Sequence, residues 1–306
     1  MRADAVRTIT RPAMGAEVAV TTDASDIAVQ TALTVVATLD RRWSRFRDDS
    51  KLSRINTADG PAVARPSTDR IIEVALAGRT LTDGWYDPTL GQAIAAAGYR
   101  HDHAAGWADE IDPVPGGPAS VDGDTGLVHV PAGTSIDLGG IAKGWAADLG
   151  ATLLADTGAL HAGVAVGGDL RVRSRTRAVV EIEPPGAEFA DAPILVGMRD
   201  GGVAVSGPTK RRAEDGRHHL IDPTTGRPAA DPRVAVVIAA SAAGAEMLAT
   251  AASIAPVHAA RTILERAGAT AWLVERGGEL TTIGTPERFL LDDGWLAEPA
   301  RREWAL

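Results

Sequence analysis

Residues 135–150, SIDLGGIAKGWAADLG, set Asp137, two glycines and Lys143 at the mouth of a helix-forming run. Glycines let a backbone approach an anion closely, a helix N-terminus is electropositive, and a lysine adds a full charge. The segment therefore reads either as a plain turn with a solvated lysine or as an anion cradle. Further along, SAAGAEMLATAASI (241–254) has the pattern of an alanine-rich helix on which Glu246 and Thr250, four apart, share a face. A carboxylate and a hydroxyl among small apolar neighbours are costly to bury without partners. A hard cation such as Mg²⁺ would supply one; solvent exposure, with Thr250 bonded back to its own helix, is the other solution. Two Asp-Pro turns, GWYDPTLG (84–91) and HHLIDPTTGRP (218–228), each lie beside aromatic or imidazole groups and suggest paired edges of one site. Of these residues, His219 and Asp222 are of a type that can move a proton. In WSRFRDDSKLSRIN (43–56), Trp43 and Phe46 stand among arginines ahead of Ser50. That is either a capped turn with Phe46 as a core anchor or an aromatic platform for a planar ligand.

The elements that must position these groups are legible from periodicity. Strand patterns fall at 16–22, 126–130, 163–167, 193–198, 234–240, 271–275 and 279–284, and helical patterns at 24–42, 67–82, 143–155, 243–254 and 257–267. In the first helix Ile27, Thr31, Val35, Leu39 and Trp43 are four apart and predict its inward face. The order is not a regular β–α alternation, so the expected class is α+β, with helices laid against largely antiparallel sheets. Residues 101–125, rich in Gly, Pro and Asp, read as a surface excursion from one domain spanning 1–306.

Composition narrows the function. A net charge of −9 argues against a nucleic-acid partner. The chain has no cysteine, which excludes disulfides, zinc–thiolate sites and thiol catalysis. The opening twenty residues lack an apolar stretch with a cleavage site, and no window approaches a membrane span. These predict a cytoplasmic protein with no membrane insertion.

Taken in order, MGAEVAV, FRDDSKLSRIN, YDPTLG, IDLGGIAKGWAAD, VAVGGDL, VAVSG, HHLIDPTTGRP and AEMLATAA resemble the FAD:protein FMN transferase family, ApbE, from about Met14 to Ile254. The resemblance implies a duplicated two-layer architecture of the T-fold type. It implies a protein that uses FAD as substrate with Mg²⁺ and transfers FMN to a threonine hydroxyl of an acceptor flavoprotein, releasing AMP. Some members instead hydrolyse FAD to FMN and AMP, and FAD binding with a weakened metal site is a third outcome. By the same resemblance Met14, Phe46, Trp85, Tyr86, Asp87, Asp137, Lys143 and Ile221 line the FAD pocket. The carbonyl of Gly140, with Glu246 and Thr250, would hold the cation, and His219 or Asp222 would serve as base. The family usually carries aspartate where this chain has Glu246, one methylene longer.

Overall fold

The structure is a computed structural model and describes residues 5–99, 116–182, 194–208 and 218–291. Its first hairpin joins β1 (Arg7–Ala13) to β2 (Ala16–Thr22) through Met14 and Gly15. Both turn residues have positive φ, 56° and 66°. A two-residue turn of that hand follows the natural twist of the strands, and it projects Met14 from the end of the sheet. The sequence pattern did not predict β1. Its RTITRPA run is largely exposed and contains Pro12, which an edge strand tolerates because one side needs no ladder donors.

One antiparallel sheet organises the chain. To the first hairpin it adds β6 (His161–Val166), β7 (Asp169–Ile182), β8 (Ile194–Ser206), β11 (Val234–Ala239), β12 (Thr270–Val274) and β13 (Leu280–Ile283), while β9 (Ile221–Asp222) and β10 (Arg227–Pro228) pair with each other separately. The spatial order is β1-β2-β6-β7-β8-β11-β12-β13. The sheet is a duplication. In its first half two strands, helices and two more strands occur in that order, the helices being α1 (Asp26–Trp43) and α5 (Ala142–Asp156). In its second half β8 and β11 precede α6 (Ala242–Ile254) and α7 (Val257–Arg266), and β12 and β13 follow them. The second strand of each half pairs with the third, β2 with β6 and β11 with β12. These helices cover one face. The opposite face holds Leu170, Val172, Val203, Val236, Ile238 and Trp272, in one cluster with Val180, Val196 and Met198 from the outer part of the long β7–β8 hairpin. The α+β class and the antiparallel pairing expected from the sequence are both present.

The buried stripe of α1 is not the one a strict four-residue step predicts. Ile27 is 81% exposed, and the face against the sheet is Ala28, Val29, Ala32, Leu33, Val36, Leu39 and Trp43. A step of four advances 400° and drifts round the helix, whereas the 28–32–36–39–43 series tracks 3.6 residues per turn.

The first half carries a long insertion between α1 and α5, and this insertion builds most of the site. It holds α2 (Lys51–Asn56), α3 (Thr68–Leu81), α4 (Gly91–Ala96) and a small sheet of β3 (Ala62–Val63), β5 (Leu127–His129) and β4 (Ser120–Asp122). Of the excursion predicted over 101–125, residues 101–115 lie outside the described residues. Its end is not excursion but strand: β4 pairs with β5, and the Asp122 carboxylate accepts from the N–H groups of Asp124 and Thr125 to close the connecting turn. Among the described residues no helix is long and apolar enough to cross a membrane.

Candidate active site

A cavity of about 540 Å³ opens between the insertion, the first hairpin and the near ends of α5 and α6. Each wall is fixed by a local device. The Met14 N–H donates to the Asp40 carboxylate at 2.9 Å, tying the hairpin turn to the end of α1. Ser50 caps α2 through the Ser53 N–H at 2.9 Å. At the other end of α2, the Asn56 side chain pairs both ways with the backbone of Ile136, at 2.8 Å each. That pair of hydrogen bonds explains why KLSRIN ends in asparagine: it holds the 135–141 loop in place. The loop is also tied to the first Asp-Pro turn, since the Asp137 N–H donates to the Pro88 carbonyl at 2.8 Å.

The polar groups of that turn are largely spent on its own geometry. Asp87 accepts from the Thr89 N–H and hydroxyl at 2.8 and 2.6 Å, and pairs with Arg79 at 2.9 Å. Asp137 accepts from the Gly139 N–H at 2.6 Å and pairs with Arg45 at 2.6 Å. The Arg45 guanidinium lies 4.3 Å from the Phe46 ring centroid and 5.1 Å from that of Tyr99. Phe46 and Tyr99 meet edge to face at 5.6 Å, and the His219 ring is 6.4 Å beyond Tyr99. The result is an aromatic wall, continued by Trp85, Ile94 and Ile221.

At the α5–α6 end the cavity turns ionic. The Asp148 carboxylate of α5 caps α6 by accepting from the Ala242 and Ala243 N–H groups at 2.9 and 3.0 Å. This docking sets Glu246, one turn into α6, against the start of α5. The Lys143 ammonium lies between the carboxylates of Asp169 and Glu246, and the second Glu246 oxygen accepts from the Gly144 N–H at 2.8 Å. Glu246 is 4% exposed, and burial pushes its carboxyl up to about 8, against the lowering influence of Lys143. One turn later, Thr250 faces Gly140: a Cβ there would lie 3.4 Å from the Thr250 hydroxyl and 2.9 Å from the Tyr86 ring. Only glycine lets this loop pass so close. The Tyr86 hydroxyl is buried without a hydrogen-bond partner among the described residues. Burial, then the nearby charges of Glu246, Asp137 and Asp87, raise its pKa well above the usual tyrosine range, so it remains a proton donor.

A second, smaller cavity of about 90 Å³ adjoins the first, lined among others by Asp169, Ser206 and Glu246. Gly139, Lys143, His219 and Thr250 line both. The structure thus brings Met14, Phe46, Trp85, Tyr86, Asp87, Asp137, Gly140, Lys143, His219, Ile221 and Thr250 to the large cavity, with Glu246 beside it in the small one. Asp222 lines neither. Its carboxylate caps the following turn, accepting from the Thr224 N–H and hydroxyl at 2.8 and 2.7 Å. Sequence reasoning did not single out Arg45, Asp40, Tyr99 or Asp169. For Asp169 a signal existed: it follows the Gly167-Gly168 turn, both residues at positive φ, directly after a strand. Among the described residues no group of three or more His, Cys, Asp or Glu side chains is arranged to hold a metal alone.

The sequence profile of the ApbE family matches residues 14–267. The FAD:protein FMN transferase of Vibrio cholerae serotype O1 is 29% identical over 213 residues, and the match spans 64% of this chain and 64% of that relative's own length, just under two thirds. The FAD:protein FMN transferase of Treponema pallidum is 31% identical over 257 residues, 73% of this chain and 70% of its own. Among solved structures, the ApbE protein of Thermotoga maritima superposes with a TM-score of 0.85 at 25% identity, covering 94% of this chain and 100% of that one. With the site motifs and the central strands β2 to β11 of the duplicated sheet inside the matched span, the chain belongs to the ApbE family.

Proposed function

We propose that this protein transfers the FMN half of FAD to a threonine hydroxyl of an acceptor protein and releases AMP. The observation that carries the reading is the convergence on one cavity of an aromatic wall and an ionic, oxygen-lined end. Its volume of about 540 Å³ falls in the range of ~300–1,000 Å³ usual for small-ligand sites. A dinucleotide needs both environments, a flat apolar surface for a ring and fixed polar groups for the diphosphate.

In the proposed reaction the acceptor oxygen attacks the FMN phosphorus. The new P–O bond forms as the bond to the AMP oxygen breaks, and the hydroxyl proton passes to a base. His219 suits that role because it lines both cavities, so it can face ligand and acceptor together. Asp222 does not, since its carboxylate is committed to its turn. The glycine loop offers backbone donors for the diphosphate, and Lys143, paired with Asp169 and Glu246, fixes the carboxylates at that end.

The residues present fit a divalent cation. Glu246 and Thr250, one turn apart on α6, line the small cavity together, and Thr250 faces the Gly140 backbone, so a carboxylate, a hydroxyl and a backbone carbonyl are the hard oxygen donors on offer. Mg²⁺ takes few protein ligands and completes its shell with phosphates and water, which suits a site with no self-sufficient cluster. The charges agree, because Lys143 is already matched by Asp169 and Glu246, so a diphosphate would enter an end with no surplus of positive charge. When bound, the cation would neutralise charge on the bridging and leaving oxygens.

The test is incubation of the purified protein with FAD, Mg²⁺ and a threonine-bearing acceptor. Covalent flavin on the acceptor with one AMP per transfer is the expected result. Free FMN and AMP, whether or not acceptor is present, would make the protein an FAD pyrophosphatase. Intact, bound FAD would reject catalysis altogether.

A further inference from the structure

We infer that Arg45 selects the ring end of the ligand: its guanidinium edge recognises a planar heterocycle bearing hydrogen-bond acceptors on its rim. The inference rests on the dinucleotide reading of the cavity and names a specificity determinant within it.

Arg45 sits in a stiff segment. It follows the buried Trp43, whose indole N–H donates to Thr68 at 3.1 Å, and precedes the Ser50 cap. Its side chain is 14% exposed. Of its guanidinium nitrogens, Nε pairs with Asp137 and Nη2 donates to the Tyr99 carbonyl at 2.5 Å. Nη1 makes no hydrogen bond to the protein among the described residues, although Arg45 lines the cavity. An arginine carries five N–H donors in a rigid fork. Here contact with the rings of Phe46 and Tyr99 restrains the fork, and part of its donor capacity is unspent.

The other permanent cations lining the cavity are committed elsewhere: Arg47 pairs with Asp49, and Lys143 with Asp169 and Glu246. The charge of Arg45 is itself matched by Asp137. A neutralised guanidinium with free N–H groups attracts a phosphate weakly, but it still donates to a neutral carbonyl or ring nitrogen. Its guanidinium lies against the Phe46 and Tyr99 rings, in a cavity also lined by Trp85, Leu90 and Ile94, and a hydrogen bond among such apolar groups discriminates strongly against a ring lacking the acceptor. The flavin dione edge and the adenine ring nitrogens both have this chemistry.

The experiment measures binding of riboflavin, adenosine and Mg-pyrophosphate to wild type, Arg45→Lys and Arg45→Met by calorimetry, with the thermal midpoint of each apo protein as a fold control. Lysine keeps a cation opposite Asp137 but loses the planar fork. Affinity for one ring probe should fall about tenfold or more in Arg45→Lys, and further in Arg45→Met, with pyrophosphate binding unchanged. Loss for riboflavin assigns the flavin to this wall, and loss for adenosine assigns the adenine. Ring affinities within twofold of wild type in Arg45→Lys, or a parallel fall for pyrophosphate, overturn the inference. If wild-type protein binds neither FAD nor a ring probe, the dinucleotide reading fails with it; if it binds them and the variants match it, only the role of Arg45 fails.

Discussion

Replacing Glu246 by glutamine should change the pH dependence of stability in a defined direction. The Glu246 carboxyl is raised from about 4.5 to about 8, with burial as the leading cause. Between those values the folded state holds a proton that the unfolded chain has released, so stability falls as pH rises through the window. The contribution is complete below the unfolded value and lost above the folded one. The limiting slope is ~1.4 kcal/mol per pH unit, so moving from pH 5.5 to 7.5 costs up to about 3 kcal/mol, or roughly 6–12 °C in Tm at ~2–4 °C per kcal/mol. Glu246→Gln is nearly isosteric and neutral at every pH, so its curve should lack this fall. Asp148, also raised by burial, and His161, lowered by burial, shape both curves equally. The difference between the two proteins therefore isolates Glu246. The assay is the thermal midpoint of apo wild type and Glu246→Gln from pH 5 to 8.5, and parallel curves would refute the assignment. A second arm adds FAD with Mg²⁺. A cation beside Glu246 favours its charged form, so the wild-type fall should flatten with ligand while the variant curve keeps its shape.

The remaining expectations concern neighbouring atoms. Glu246→Asp draws the carboxylate back by about one C–C bond, ~1.5 Å, away from the Gly144 N–H it accepts at 2.8 Å; metal affinity by titration and FAD cleavage should both weaken, and an aspartate variant at least as active at every Mg²⁺ concentration would argue that the site has not adapted to glutamate. Gly144→Ala would drive a Cβ into the backbone of Ala242 and Ala243; overpacking of this kind costs ~1–3 kcal/mol, read as a lowered urea midpoint, and an unchanged midpoint would mean that α5 and α6 separate freely. Asp222→Asn should keep most FMN transfer while His219→Ala loses ~100-fold or more, the range of general base catalysis; equal losses measured by AMP release would remove His219 from its distinct role.

What was readable in the sequence follows from what each feature depends on. Strands β2 and β11 and helices α5, α6 and α7 are set by local period, and they fall within a residue or two of expectation. β7 was missed although Leu170 and Val172 alternate with Asp169, Arg171 and Arg173, because the run turns wholly polar over 174–177 and hides a half-buried strand. Site residues in local turns, such as Asp87 and Asp137, were visible as turn chemistry. Arg45 was not, since its partners Asp137 and Tyr99 are brought to it only by the fold of the insertion. The same limit governs Glu246. On the helix alone it shares a face with Thr250, which suggested two oxygens for a cation. Its strongest partner is Lys143, 103 positions earlier, and the two meet only because Asp148 docks α6 against α5. The longer side chain is the one that reaches this ammonium while holding the Gly144 N–H. An aspartate in the same backbone would fall short of the Lys143 ammonium and the Gly144 N–H and leave Lys143 to Asp169 alone. The departure from the family's usual aspartate therefore redistributes charge between lysine and cation, and the stability of the variants across pH measures that redistribution without reference to turnover.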